Sequence, residues 1–107
     1  MEQHFETFER ARLYFDMRDP AEAARILRPL ADEQPDNPTV IELLARSYFH
    51  SAQLARAEET FRRLLDLEPC NAWAHEALAR TLERQSRPEE AVPHRKLALA
   101  MGGKTSL

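Results

Sequence analysis

The fold is decided by residues 38–71, which read PTVIELLARSYFHSAQLARAEETFRRLLDLEPCN. The spacing of small residues in this stretch recurs on both sides of it, with a period of 34 residues and no insertion. The chain can be divided into three rows of 34 residues that begin at His4, Pro38 and Ala72. The eighth place of each row holds alanine (Ala11, Ala45 and Ala79), and so does the twentieth (Ala23, Ala57 and Ala91). A fixed period of this length is the signature of a repeat architecture.

Within each row the apolar residues follow a helical period. Residues three or four positions apart share one face of a helix, and in the middle row Leu44 and Tyr48 have this spacing. Phe61 and Leu64 repeat it further on. Each row therefore predicts two amphipathic helices of about fourteen residues. The predicted helices cover 3–17, 20–33, 38–51, 54–67, 72–85 and 88–101.

Helix start signals fall where these helices are expected to begin. Asp19 and Asn37 each precede a proline, and a capping side chain followed by proline at the first helical position is a frequent helix start. Asn71 offers a similar cap for the fifth helix. Ser86 and Glu89 have the spacing of a capping box, which predicts the start of the sixth.

The repeated residues resemble those of the tetratricopeptide repeat family. The match is best in the middle row, where Ala45 and Tyr48 are followed by Ala57, Phe61 and Pro69. The resemblance implies an all-α fold, a right-handed superhelical array of three antiparallel helix pairs. It spans one domain over 1–107, with repeats at 4–37, 38–71 and 72–105.

Composition argues against several classes of function. The net charge of −3 is unlike that of a nucleic-acid binder. The single cysteine, Cys70, cannot form an internal disulfide, and no apolar run approaches the ~20 residues that cross a bilayer. The histidines are scattered and no nucleophile stands beside a base, so we expect no enzyme, no cofactor and no metal site. We expect a cytoplasmic protein.

The resemblance implies that the first helix of each pair lines a concave groove, which binds a peptide segment of a protein partner. Arginine recurs at the ninth place of every repeat, and aromatic residues lie beside it. Arginine pairs with carboxylates, and aromatic side chains bind apolar ones, so we predict an acidic and apolar ligand segment. The predicted lining residues are Phe8, Arg12, Phe15, Glu42, Arg46, Phe49, His50, Trp73, Glu76, Arg80 and Arg84.

The recurring arginines have a second interpretation. Glu42 and Glu76 stand four residues before Arg46 and Arg80, a spacing that favours an ion pair within one helix. Such an arginine would serve its own helix and not a ligand, and the sequence leaves both interpretations open.

Both ends of the array depart from the repeat. Arg95 stands at the twenty-fourth place, which Leu27 and Phe61 hold in the other rows. In the first row Glu6 and Arg10 take places that are apolar in the second. Polar substitutions of this kind are typical of the terminal repeats of an array.

The predicted last helix nevertheless keeps an apolar surface, which suggests an alternative function. Family members usually carry a further helix that covers this surface, so we consider a homo-oligomer joined through it. The opposing interpretation is that these side chains pack back on the fifth helix. The candidate self-association residues are Val92, Leu97, Leu99 and Met101, and Gly102-Gly103 is the expected stop of the helix.

Overall fold

The computed structural model describes residues 2–102 and 107. All regular structure within these residues is helical. The bounds agree to within one residue with the helices predicted from the sequence, so the all-α prediction is confirmed. The six helices are α1 (Glu2–Asp16), α2 (Pro20–Glu33), α3 (Pro38–His50), α4 (Leu54–Leu67), α5 (Ala72–Arg84) and α6 (Pro88–Ala100).

Three of the predicted helix caps are formed. The side chain of Asp19 accepts a hydrogen bond from the backbone N–H of Glu22, at 3.2 Å, at the start of α2. Asn37 caps α3 and Asn71 caps α5 in the same way. The capping box predicted at the start of α6 is wrong, because Arg87 is the N-cap residue there and makes no side-chain cap. Ser86, the residue predicted as the cap, belongs to the preceding turn.

The turns inside the three helix pairs have one geometry. Arg18, Ala52 and Ser86, which stand 34 residues apart, all have a positive φ, between 61° and 63°. In the second pair the N–H of Gln53 donates to the carbonyl of Tyr48, and the N–H of Ala52 donates to that of Phe49. This is the Schellman motif, which closes a helix through one left-handed residue. The period of the sequence is therefore also a period of the backbone.

The helix pairs stack side by side on one continuous core. Each helix packs mainly against its neighbours in sequence, and the molecule measures 40 × 24 × 20 Å. The six recurring alanines are almost completely buried, which lets the helices approach closely. Phe61 is the largest side chain that is fully buried. The array is an α-solenoid, in agreement with the predicted fold class.

The two ends of the array differ from its middle. The first helix turns Glu6 and Arg10 to solvent, and Leu13 beside them is also exposed. After α6, Gly102 adopts a φ of 73°, which agrees with the predicted stop. The second glycine of that stop, Gly103, lies outside the described residues, as does the end of the repeat predicted over 72–105.

Candidate functional site

A groove made of three adjoining cavities runs between α1 and α3. The upper cavity holds about 510 Å³, the central one about 410 Å³ and the lower one about 500 Å³. Phe8 and Arg12 line both the upper and the central cavity, and Phe15 lines both the central and the lower one. The three cavities therefore form one surface, which the first two repeats supply together with Leu107.

The centre of the groove is occupied by Arg46. Its guanidinium carbon lies 4.8 Å from the centre of the Phe15 ring, a cation–π distance. Its Nε is buried and has no hydrogen-bond partner among the residues that the structure describes. A buried donor without an acceptor costs about 1–3 kcal/mol, and because this atom has almost no accessible surface, a ligand does not reach it without a rearrangement.

Glu42 lies one helical turn before Arg46 but does not neutralise it. No ion pair within 4.0 Å joins the two described side chains, so the alternative of a pair within this helix fails in the second repeat. Burial raises the pKa of the Glu42 carboxyl, although the charge of Arg46 acts in the opposite direction. The central cavity thus contains an unpaired guanidinium beside a carboxyl that burial makes harder to ionise.

At the upper end of the groove Arg12 is open to solvent. Its side chain is 58% exposed and lies 3.8 Å from Glu9, a distance at which an ion pair contributes little. Phe8 packs partly against the core next to it. This part of the groove combines an exposed positive charge with an apolar wall.

At the lower end the aromatic residues form the floor. His50 lies edge-on to Phe15, with 5.7 Å between the ring centres, and to Phe49, with 5.4 Å. Phe49 itself is only 8% exposed, and the guanidinium of Arg84 lies 4.9 Å from its ring centre. Phe49 therefore supports the groove from the core and presents little surface of its own.

The third repeat does not contribute to these three cavities. Trp73 packs edge-on against Phe61, with 5.9 Å between ring centres. Glu76 accepts a hydrogen bond from Arg95 at 2.5 Å and lies 3.8 Å from Arg80. Within this repeat Trp73 and Glu76 thus contact residues outside the predicted groove, and Arg80 lies within ion-pair distance of Glu76 on its own helix.

Two features of the structure were not predicted. The Nδ1 atoms of His75 and His94 lie 3.1 Å apart. A signal for this contact exists, because residues 19 apart in one repeat face each other across the helix pair, as Glu76 and Arg95 do. The second feature is Leu107, which lines the lower cavity. The repeat pattern offers no signal for it, since it follows the last helix.

Three stacked antiparallel helix pairs with a groove on one side define a helical-repeat protein of the interaction-scaffold class. Sequence models of the tetratricopeptide repeat match residues 14–69 and 60–92. The chain belongs to the tetratricopeptide repeat family. Proteins built on this repeat are typically non-enzymatic, in line with the sequence analysis.

Solved structures of MamA have a similar fold. A MamA mutant superposes with a TM-score of 0.89 at 25% identity, over 94% of this chain and 74% of that one. The structure titled MamA MSR-1 gives 0.82 at 26% identity, over 86% of this chain and 53% of that one. MamA from Desulfovibrio magneticus RS-1 gives 0.84 at 18% identity, over 90% and 54%, and shows a likeness of fold alone. The chain thus spans between half and three quarters of these MamA chains. No curated protein matches it.

The described part of the chain offers neither a membrane-spanning helix nor a cluster of metal ligands. None of its helices combines the length and the apolar character needed to cross a bilayer. In residues 2–102 and 107, no three side chains of histidine, cysteine, aspartate or glutamate are grouped so that they could hold a metal ion. Cys70 is a free, exposed thiol.

Proposed function

We propose that the protein is an interaction scaffold that binds an extended peptide segment of a partner in the groove between α1 and α3. The proposal is carried by Arg46, which lines the central cavity and forms no ion pair within the described residues. A carboxylate, or a backbone carbonyl, of the bound segment would accept from this guanidinium. Hydrogen bonds to a charged donor in a partly desolvated site are among the stronger ones.

The rest of the groove sets the other requirements on the ligand. Phe8 and Phe15 offer apolar walls on either side of Arg12 and Arg46. Aromatic and arginine side chains are the residue types on which binding energy concentrates at interfaces. The segment that fits is therefore acidic at its centre and apolar beside it, and the first two repeats hold it.

A peptide library tests this proposal. Random dodecapeptides displayed on phage are selected on the whole chain, and the enriched sequences are synthesised and titrated. We expect enrichment of aspartate or glutamate next to an apolar residue, and an affinity at least tenfold lower for Arg46→Glu. The control is Arg28→Glu, which reverses an exposed charge on α2, outside the groove, and leaves the affinity within about twofold of wild type.

Two results would contradict the proposal. One is a library without enrichment of acidic sequences. The other is an equal loss of binding in the Arg46 and Arg28 variants, because the loss would then follow from the changed net charge of the protein and not from the groove. Far-UV circular dichroism of both variants must match the wild type, because both substitutions leave the buried alanine contacts intact.

A second candidate function is self-association through α6. Val92, Leu97, Leu99 and Met101 are between 39% and 71% exposed, so each keeps a substantial part of its side chain accessible. Exposed apolar side chains can take part in a contact surface. Sedimentation velocity of wild type and of Leu97→Glu with Leu99→Glu tests it. We expect an oligomer that the double substitution converts to a monomer, and a monomeric wild type at ~1 mM would remove this candidate.

A further inference from the structure

Two cations and two carboxylates line the central cavity of the groove. They are Arg12 and Asp16 from α1, and Glu42 and Arg46 from α3. Among the described residues, only Arg12 of these four takes part in an ion pair, with Glu9 of its own helix at 3.8 Å. The charges of the cavity thus balance in number, but both charged side chains of α3 are left without an ionic partner.

The carboxyl of Glu42 is only partly hydrated, and its neighbour Arg46 does not pair with it. The guanidinium carbon of Arg46 lies 4.8 Å from the centre of the Phe15 ring and is engaged there. The side chain of Glu42 is half-buried. Burial raises the pKa of its carboxyl, the charge of Arg46 acts in the opposite direction, and the charge of Glu68 adds to the rise. The ionised form of Glu42 therefore lacks stabilising contacts in the free protein.

A segment bound in the central cavity would remove further water from Glu42, because this side chain lines the space that the segment fills. A charged group that loses water without gaining a partner opposes binding. A ligand carboxylate serves Arg46 but brings a like charge close to Glu42. A segment that also carries a cation supplies a partner to each of the two side chains.

The separation of the two side chains on α3 defines the spacing of these charges in the ligand. Glu42 and Arg46 are one helical turn apart, and side chains with this separation start about 5–6 Å from each other. In an extended segment the side chains of residues two apart lie on the same face, about 6.6 Å from each other. A basic and an acidic residue with one residue between them therefore match the pair. Thr39 lines the upper cavity and His50 the lower one, so the basic residue lies on the upper side of the acidic one.

We infer that Glu42 is a specificity-determining residue of the groove, and that it selects a lysine or arginine two residues from the acidic residue that pairs with Arg46. This inference rests on the proposed function, because it adds a requirement to the ligand of the same groove. The class of ligand that it names is a segment of mixed charge, and a purely acidic segment binds more weakly.

The experiment compares selections from the library of dodecapeptides on whole chains of wild type and of Glu42→Gln, which removes the charge and keeps nearly the same shape. We expect wild type to enrich peptides in which a basic residue stands two positions from an acidic one. The glutamine variant is expected to enrich acidic peptides without this basic residue. The matched control is Asp66→Asn, which removes an exposed carboxylate on α4, outside the three cavities, and enriches the same mixed-charge peptides as wild type.

A double-mutant cycle measures the contact directly. A synthetic peptide enriched on wild type is titrated together with its variant in which glutamine replaces the basic residue. On wild type we expect this replacement to weaken binding about tenfold, as for a close charge pair at an interface. On Glu42→Gln the same replacement changes the affinity by no more than about twofold, whereas Glu42→Asp, which keeps the charge, retains the preference for the basic residue. The titrations on wild type require no protein variant, so they decide the question even where a substitution disturbs folding.

The inference fails if the basic residue can be replaced without loss of affinity for wild type. It also fails if Glu42→Gln binds the peptides enriched on wild type more tightly, because Glu42 would then only repel acidic ligands. Enriched peptides that are acidic, depend on Arg46 and lack the basic residue would overturn the inference and leave the proposed function standing. Mixed-charge peptides that depend on Glu42 but are indifferent to Arg46→Glu would overturn the proposed role of Arg46 and leave the selection of a cation by Glu42 standing.

Discussion

Arg46 and Arg80 occupy the same place in the second and third repeats, yet their surroundings differ. Arg46 stacks on Phe15, and its buried Nε has no partner among the described residues. Arg80 is about half exposed and lies 3.8 Å from Glu76, which is bound more closely by Arg95. Arg46 forms no ion pair within the described residues, whereas Arg80 belongs to a network of charges within its own repeat.

The cause of the difference is the residue at the twenty-fourth place. In the second repeat this place holds Phe61, which is fully buried in the core. In the third repeat it holds Arg95, which donates to Glu76 at 2.5 Å and to Glu83 at 2.8 Å. Replacing a core aromatic residue with arginine at the end of the array thus supplies cations to the carboxylates of α5. The inner surface of the third repeat is neutralised by its own side chains.

The largest effect expected from this comparison is on stability. Phe61→Ala removes a buried aromatic ring and should lower the free energy of unfolding by about 3–5 kcal/mol. Arg95→Ala, at the same place of the third repeat, removes partly exposed ion pairs and should cost about 1 kcal/mol or less. Urea denaturation followed by far-UV circular dichroism measures both values.

Phe61→Leu keeps the measurement possible if the alanine variant unfolds. It leaves most of the apolar volume in place and should lie between wild type and Phe61→Ala. Equal losses for the two alanine substitutions would contradict the comparison, because they would mean that the twenty-fourth place is equivalent in both repeats.

The backbone could be predicted from the sequence, and the side-chain partners could not. The bounds of the helices follow from the period of the apolar residues and from caps such as Asn37 and Asn71. Both depend only on residues that are close in sequence. The partner of an arginine depends on what the neighbouring helix presents, so Arg46 and Arg80 looked alike. Phe49, predicted as a groove residue, is buried for the same reason.

The shared turns offer a smaller test, because they are one feature that all three repeats have in common. Ala52 has a φ of 61°, in the left-handed region that disfavours residues with a Cβ atom. Ala52→Gly removes this strain and should raise the free energy of unfolding by about 1 kcal/mol. The control is Ala55→Gly, in the first turn of α4, which should lower it by about 1 kcal/mol or less. Chemical denaturation measures both changes, and a destabilising Ala52→Gly would contradict the turn geometry.

The smallest expected effect is on the pH dependence of stability, and it comes from a difference between the same two repeats. The places that hold Ile41 and Thr60 in the second repeat hold His75 and His94 in the third. The Nδ1 atoms of these two histidines lie 3.1 Å apart, and their rings are nearly parallel. His75 donates from Nε2 to the carbonyl of Pro69, at 2.9 Å, so in its neutral form its Nδ1 accepts and that of His94 donates. A second proton on the pair would bring two N–H groups face to face.

Burial lowers the pKa of His94, and the charges of His75 and Arg62 lower it further. The folded state therefore binds fewer protons than the unfolded state just below the ordinary histidine pKa of about 6.5. The stability that neutral His94 contributes is complete above that pH and is lost as the pH falls through its lower, folded-state pKa. Replacing His75→Ile together with His94→Thr gives the third repeat the pair of the second. Urea midpoints between about pH 5 and 7.5 should fall less steeply with acid in this variant than in wild type. An unchanged slope would mean that His94 takes up its proton equally well in the folded and the unfolded chain, which would contradict the prediction.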